Sequence, residues 1–82
     1  MTKFIDKRIK VMHDYKNNPR AFLYRGKWLP VCRVLEMWKD AGKWWDGEAE
    51  KTFYRVEAAG SSLYELYVVN NNQAWSLYRI YD

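Results

Sequence analysis

Three runs decide the fold: Thr52-Phe-Tyr-Arg-Val-Glu-Ala58, Leu63-Tyr-Glu-Leu-Tyr-Val-Val69 and Ala74-Trp-Ser-Leu-Tyr-Arg-Ile-Tyr81. All three are rich in β-branched and aromatic residues, the types that fit a pleated, half-buried surface. Gly60-Ser61-Ser62 separates the first two, and Asn70-Asn71-Asn72-Gln73 separates the last two. Glycine and asparagine tolerate the left-handed backbone of tight turns, so both connections reverse the chain. Strands joined by such short turns pair as an antiparallel meander.

Upstream, residues 21–25 (Ala-Phe-Leu-Tyr-Arg) read as another strand, and Gly26-Lys27 makes a tight reversal into residues 28–38. Pro30 confines the start of that segment to an edge, a bulge or a strand beginning. Val31, Val34, Leu35 and Trp38 stand at helical spacing, while Cys32, Val34 and Trp38 alternate. A bulged, strongly bent strand reconciles the two patterns, because a bulge switches the inward parity partway along. Residues 39–51, with Asp40, Gly42, Asp46 and Gly47, read as a long loop carrying Trp44 and Trp45. At the other end, Ile5, Ile9 and Val11 alternate within residues 4–13, which predicts one strand. Lys16-Asn17-Asn18-Pro19 then turns the chain.

The 82 residues therefore form a single all-β domain, 1–82: a small, strongly curved antiparallel sheet of five to six strands, or a partly open SH3-like barrel. Curling is the economical solution for so short a chain, since it buries one face and shelters the edges. The likeness to an SH3 barrel is one of strand number and length and carries no function.

Aromatic residues are the compositional oddity: five Trp, seven Tyr and three Phe make up 18% of the chain. Neighbouring side chains on a strand point to opposite faces. Phe53 and Tyr54, Tyr64 and Tyr67, Trp75 and Tyr78, and Tyr78 and Tyr81 all have opposite parity. Rings are thus expected on both faces, more than one interior holds. Three explanations compete for the second face. The long loop and N-terminal segment could cover it, a partner chain or homodimer could cover it, or its rings could form a platform for nucleic-acid bases or a proline-rich peptide.

Charge is unevenly spread. Residues 1–28 hold eight basic and two acidic side chains, whereas residues 29–82 hold six basic and eight acidic. The basic third is either a solvated, soluble strand edge or an attractor of phosphate or acidic partners. One Cys and one His exclude a disulfide framework and a self-contained zinc site. Cys32 lies in an apolar run and is expected to be a buried, reduced thiol. The N-terminal residues lack the apolar core of a secretory signal, and no stretch approaches the roughly 18 apolar residues of a membrane helix, so a cytoplasmic setting is expected.

No catalytic constellation is legible. His13 and Cys32 are one candidate each for a Cys–His pair, and an exposed histidine with a buried thiol is the simpler reading. Asp46, Glu48 and Glu50 cluster in the loop without calcium-loop spacing, as a solvated acidic segment would. Glu57 and Glu65 fall on strands, where pairing with Arg55 or Arg79 accounts for them. The chain reads as no enzyme, with no cofactor and no metal.

Taken together, four runs resemble a family. They are Phe22-x-Tyr24-Arg25-Gly26-Lys27-Trp28 leading to Val31-x-x-Val34-Leu35-x-x-Trp38, then Trp44-Trp45 followed by Phe53-Tyr54-Arg55-Val56, then Tyr64-Glu65-Leu66-Tyr67, and last Trp75-x-Leu77-Tyr78-Arg79-Ile80-Tyr81-Asp82. Their order is similar to that of a small uncharacterised bacterial domain family, some members of which accompany Y-family, translesion-type DNA polymerase proteins. The resemblance spans most of residues 5–82, and it supplies context without catalytic residues. Pro30 and Cys32 depart from it.

The function expected is a non-catalytic interaction module docking a protein partner, such as a DNA-repair polymerase-like protein, through exposed aromatic residues. The alternative is a single-stranded nucleic-acid-binding accessory module in DNA repair. In that reading Arg20, Arg25 and Lys27 meet phosphates, while Trp28, Trp44, Trp45 and Tyr54 offer stacking faces. Monomer and homodimer both stay open.

Overall fold

In the computed structural model, residues 2–42, 44–47, 49–70 and 73–81 are described, Trp44 by its backbone alone. Seven strands form: β1 (Thr2–Arg8), β2 (Val11–His13), β3 (Pro19–Tyr24), β4 (Lys27–Asp40), β5 (Lys51–Ala58), β6 (Leu63–Val69) and β7 (Ala74–Tyr81). Two short 3-10 turns, Trp44–Asp46 and Ala59–Ser61, complete the regular structure. All neighbours are antiparallel, in the order β1-β7-β6-β5-β4-β3-β2. The all-β class and the curled sheet agree with the sequence reading, but the strand count is seven, not five to six.

The extra strand arises from residues 4–13, expected as one. The chain breaks its ladder at Ile9 and Lys10, and its two halves pair at opposite ends of the sheet. β1 pairs with β7 and β2 with β3. At the break, the Ile9 N–H donates to the Trp75 carbonyl (3.2 Å), and the Lys10 carbonyl accepts the Leu23 N–H (2.9 Å). One continuous segment therefore ties both ends of the sheet, which curls it into a partly closed barrel.

The concave face is the core. Tyr54, Val56 and Ala58 of β5, Leu66 and Val68 of β6, Trp75, Leu77 and Ile80 of β7, and Phe22 of β3 are buried together. Phe22 meets Tyr64 edge-to-face at 5.0 Å, and Tyr54 lies against Trp75 at 5.5 Å. Such ring pairs each add about 0.5–1.5 kcal/mol beyond their area.

β4 is the bent strand that its mixed periodicity predicts, with two bulges where one was expected. Its register against β5 shifts between Val31 and Arg33 and again between Val34 and Glu36. Val31, Val34 and Met37 pair with Ala58, Val56 and Tyr54, so every third residue takes the parity of the core side chains and imitates a helical period, although of the three only Val31 packs against the core. The first bulge also corrects the expectation for Cys32, which is exposed because it falls in the irregular step, not at an inward position.

The β3–β4 reversal comes one residue earlier than Gly26-Lys27. Tyr24 pairs with Lys27, and Arg25 (φ 52°) with Gly26 (φ 76°) forms the two-residue turn. Positive φ at both positions is what a type I′ hairpin demands. In the β2–β3 turn, the Asp14 carboxylate accepts the N–H groups of Lys16 (2.9 Å) and Asn18 (3.0 Å).

Candidate interaction surfaces

The convex face carries the rings the interior cannot hold. Trp38, Phe53, Tyr67, Tyr78 and Phe4 cross β4, β5, β6, β7 and β1 in a row. Trp38 stacks on Phe53 at 5.5 Å and 2°, Phe53 touches Tyr67 at 5.3 Å and Tyr78 at 5.5 Å, and Phe4 stands edge-on to Tyr78 at 5.7 Å. Phe53 is only 8% exposed because its neighbours cover it. The neighbouring rings thus shelter Phe53, while Phe4 at the β1 end of the row stays 66% exposed. A bulge in β7 contributes: the register slips between Glu65–Arg79 and Leu66–Leu77, so Tyr78, Arg79 and Tyr81 share this face. Tyr78 and Tyr81 were expected on opposite faces, and the inserted residue removes the alternation.

One rung further along runs a ladder of alternating charge. Glu36, Arg55, Glu65 and Arg79 are cross-strand neighbours on β4, β5, β6 and β7. Arg55 pairs with Glu36, and Arg79 Nε lies 2.8 Å from Glu65 Oε2 in an ion pair without the linear geometry of a hydrogen bond. Both guanidiniums lie beside the Tyr81 ring, and Arg79 sits 4.4 Å over Phe4. The Tyr81 hydroxyl, by accepting from Arg55, is the main influence holding that guanidinium above its ordinary value. Glu65 pairs with Arg79, as expected from the sequence, whereas Glu57 pairs with Arg33 at 2.7 Å.

Burial raises the Tyr67 phenol above its ordinary 10.0, and its hydrogen bond to Asp6 adds to this (2.6 Å). Burial raises Tyr54 as well, with the Asp14 charge a smaller cause. Folded pKa values above the unfolded ones mean that these phenols contribute stability fully below pH 10.0, and that it is lost as pH climbs through the raised values. Denaturant unfolding at pH 8, 10 and 11 is expected to show this decline, and Tyr67→Phe to flatten part of it. A profile flat to pH 11 would contradict the burial of both hydroxyls.

β4 outruns its partner on one side. It pairs with β3 only through Lys27–Pro30, while its pairing with β5 continues to Asp40. Among the described residues, no strand pairs with the far edge of residues 33–40. Val34, Leu35 and Met37 along it are exposed, Met37 to 56%. Beside this edge opens a cleft of about 320 Å3, with Lys16 and Asn17 of the β2–β3 turn on one wall, Met37 and Lys39 on the other, and Thr52, Tyr54 and Val68 below. The Thr52 hydroxyl donates to Asn70 Oδ1 (3.0 Å), whose amide donates to Glu50 (2.7 Å), which firms the cleft's rim.

Of the residues read as contact groups, Arg25, Lys27 and Trp28 come together on the β3–β4 hairpin, exposed. Arg20 is exposed on β3 near Asp14, Cys32 and Arg33. Trp45 is exposed in the turn after β4, and the Trp44 side chain lies outside the described residues. Tyr54 is corrected: it shares the concave parity of Val56 and Ala58 and is buried against Trp75, so its ring offers no outward stacking face. Sequence reasoning missed Val34, Leu35 and Met37 as a free edge, because edge status depends on which strand ends first. It also missed Lys7, Arg8 and Lys10 as partners of Arg25, which only the β1–β2 break assembles.

Among the described residues, no three His, Cys, Asp or Glu side chains gather where they could hold a metal ion; Glu48 of the acidic loop lies outside them. No helix among them is long and apolar enough to cross a membrane. Fold and surface together define a small curled β domain with a free strand edge and a basic hairpin. The chain belongs to the family described as Domain of unknown function (DUF6504), whose model matches residues 1–82. No curated protein and no solved structure matches it.

Proposed function

We propose that the domain is a non-catalytic docking module, which accepts an extended strand of a protein partner along the free edge of β4. The observation that carries this reading is the ten-residue overrun of β4 beyond Pro30, with Val34, Leu35 and Met37 exposed on it. An unpaired edge offers main-chain donors and acceptors to an incoming strand, and alternate side chains beside it provide specificity. The bulges blunt the edge near Cys32 and Leu35, but residues 36–40 keep regular register with β5. A strand laid there would also cover the cleft and Met37. The resemblance to domains accompanying translesion-type polymerase proteins makes a cytoplasmic, DNA-repair polymerase-like protein the partner to test first.

A photo-crosslinking residue at position 35 or 37, introduced in the cell of origin, is expected to give a discrete protein adduct. The same residue at Tyr15, which is 90% exposed on the β2–β3 turn, is expected to give none. The double substitution Leu35→Asp/Met37→Asp removes the complex while changing stability by no more than about 0.5 kcal/mol, as exposed sites ordinarily do. Absence of an adduct at both edge positions overturns the proposal.

A further inference from the structure

A second surface, sharing no residue with the β4 edge, stands where the N-terminal segment leaves β7 for β3. There a groove of about 800 Å3 is lined by Ile5, Lys7, Arg8, Ile9, Lys10, Leu23, Tyr24, Arg25 and Gly26. Four of its lining side chains are cationic and none is anionic. Lys7, Arg8, Lys10 and Arg25 are all exposed, and none forms an ion pair among the described residues. The one carboxylate of β1, Asp6, is turned away to the Tyr67 hydroxyl.

The backbone builds this concentration of charge. Asp6 adopts φ 46° where the register against β7 slips between Phe4 and Lys7, and the ladder then breaks at Ile9 and Lys10. Both irregularities gather the cations of one short segment on a single wall. The Arg25–Gly26 turn supplies the opposite wall, with the Arg25 guanidinium 5.3 Å from the Tyr24 ring centre. The remaining lining is apolar: Ile5, Ile9, Leu23 and Tyr24. Trp28, 47% exposed, is the cross-strand neighbour of Leu23 and shares its face, and Lys27 follows Gly26.

We infer that this groove binds the phosphate chain of a single-stranded nucleic acid, with Lys7, Arg8, Lys10 and Arg25 on phosphates and Trp28 as a stacking face. Four unneutralised cations in a concave site attract a polyanion. The apolar lining and the neighbouring indole suit the bases of a flexible strand, since every base presents a π-face. A flat anionic membrane does not enter a groove, and an acidic peptide has no use for a stacking ring.

The test is fluorescence anisotropy of a labelled twenty-nucleotide oligo(dT) with the full chain at 50 and 200 mM KCl. Four phosphate contacts on a single strand predict a fall in affinity of about 50-fold over that range. Lys10→Ala/Arg25→Ala is expected to bind more weakly and to reduce the salt effect to about sevenfold. Lys7→Ala/Lys10→Ala serves as a second variant should the first unfold, and thermal melting checks both. Quenching of Trp fluorescence on binding, lost in Trp28→Phe, supports the stacking role. The inference is overturned if the chain does not bind at 50 mM KCl or if the folded double variant binds like the parent. It is equally overturned if poly-glutamate or anionic vesicles compete as well as oligo(dT), since the groove would then be a general polyanion or membrane site.

Discussion

Replacing Phe22 with alanine is expected to destabilise the domain by about 3–5 kcal/mol, the usual cost of truncating a buried phenylalanine. The ring is fully buried and packs edge-to-face on Tyr64. It is the buried β3 member of the main core, which Tyr24 of the same strand joins only in part. Domains of this size stand near the lower part of the roughly 5–15 kcal/mol range of folded stabilities, so the loss removes much of the margin. The damage concentrates in the wing formed by β2, β3 and the start of β4, which supplies one wall of the basic groove. Hydrogen exchange should therefore rise first at Val11–His13 and Pro19–Tyr24, ahead of the β5–β7 meander. Uniform exchange across all strands, or a loss below about 1 kcal/mol, would show that Phe22 does not anchor the wing.

Glu65→Ala is expected to cost about 2–3 kcal/mol, measured by urea unfolding. Glu65 is 3% exposed and lies between Arg55 and Arg79 on the convex face. Its removal leaves two guanidiniums facing each other across β6 without the carboxylate that separates them. The loss falls short of that for a wholly buried pair, because the side chains of Arg55 and Arg79 keep 33% and 28% exposure. Replacing Glu65 and Arg79 together by apolar residues should recover part of the stability, since an intact apolar contact costs less than an orphaned charge. Added salt should change the parent's stability little, screening being weak where the carboxylate is buried. If Glu65→Ala proves neutral, the charge ladder contributes only surface pairing.

The meander illustrates what was legible in the sequence. Residues 63–69 and 74–81 were read to the residue, and 52–58 within one, because alternating apolar side chains and Gly or Asn turns are local signals. The surplus of rings over one interior was likewise legible, being a consequence of parity alone. Their mutual coverage was not: Phe53 is sheltered by Trp38, Tyr67 and Tyr78, residues on three other strands. Arg25, Lys27 and Trp28 were read as a cluster because they adjoin in sequence. Their partners across the groove lie some fifteen or more positions earlier and meet them only through the hydrogen bonds of Ile9 and Lys10.

The amino-acid sequence by itself thus determined the class: an all-β chain with antiparallel pairing at its C-terminal end, a bent strand within residues 28–38 and aromatic residues on two faces. Only the tertiary structure decided which strand ends meet, and hence that residues 2–13 divide between two edges, that among the described residues β4 has a partner on its β5 side alone beyond Pro30, and that four cations share a groove. The reason is physical. Strand character and turns depend on neighbours a few residues apart, whereas bulges and barrel closure depend on satisfying hydrogen bonds between segments far apart in the chain.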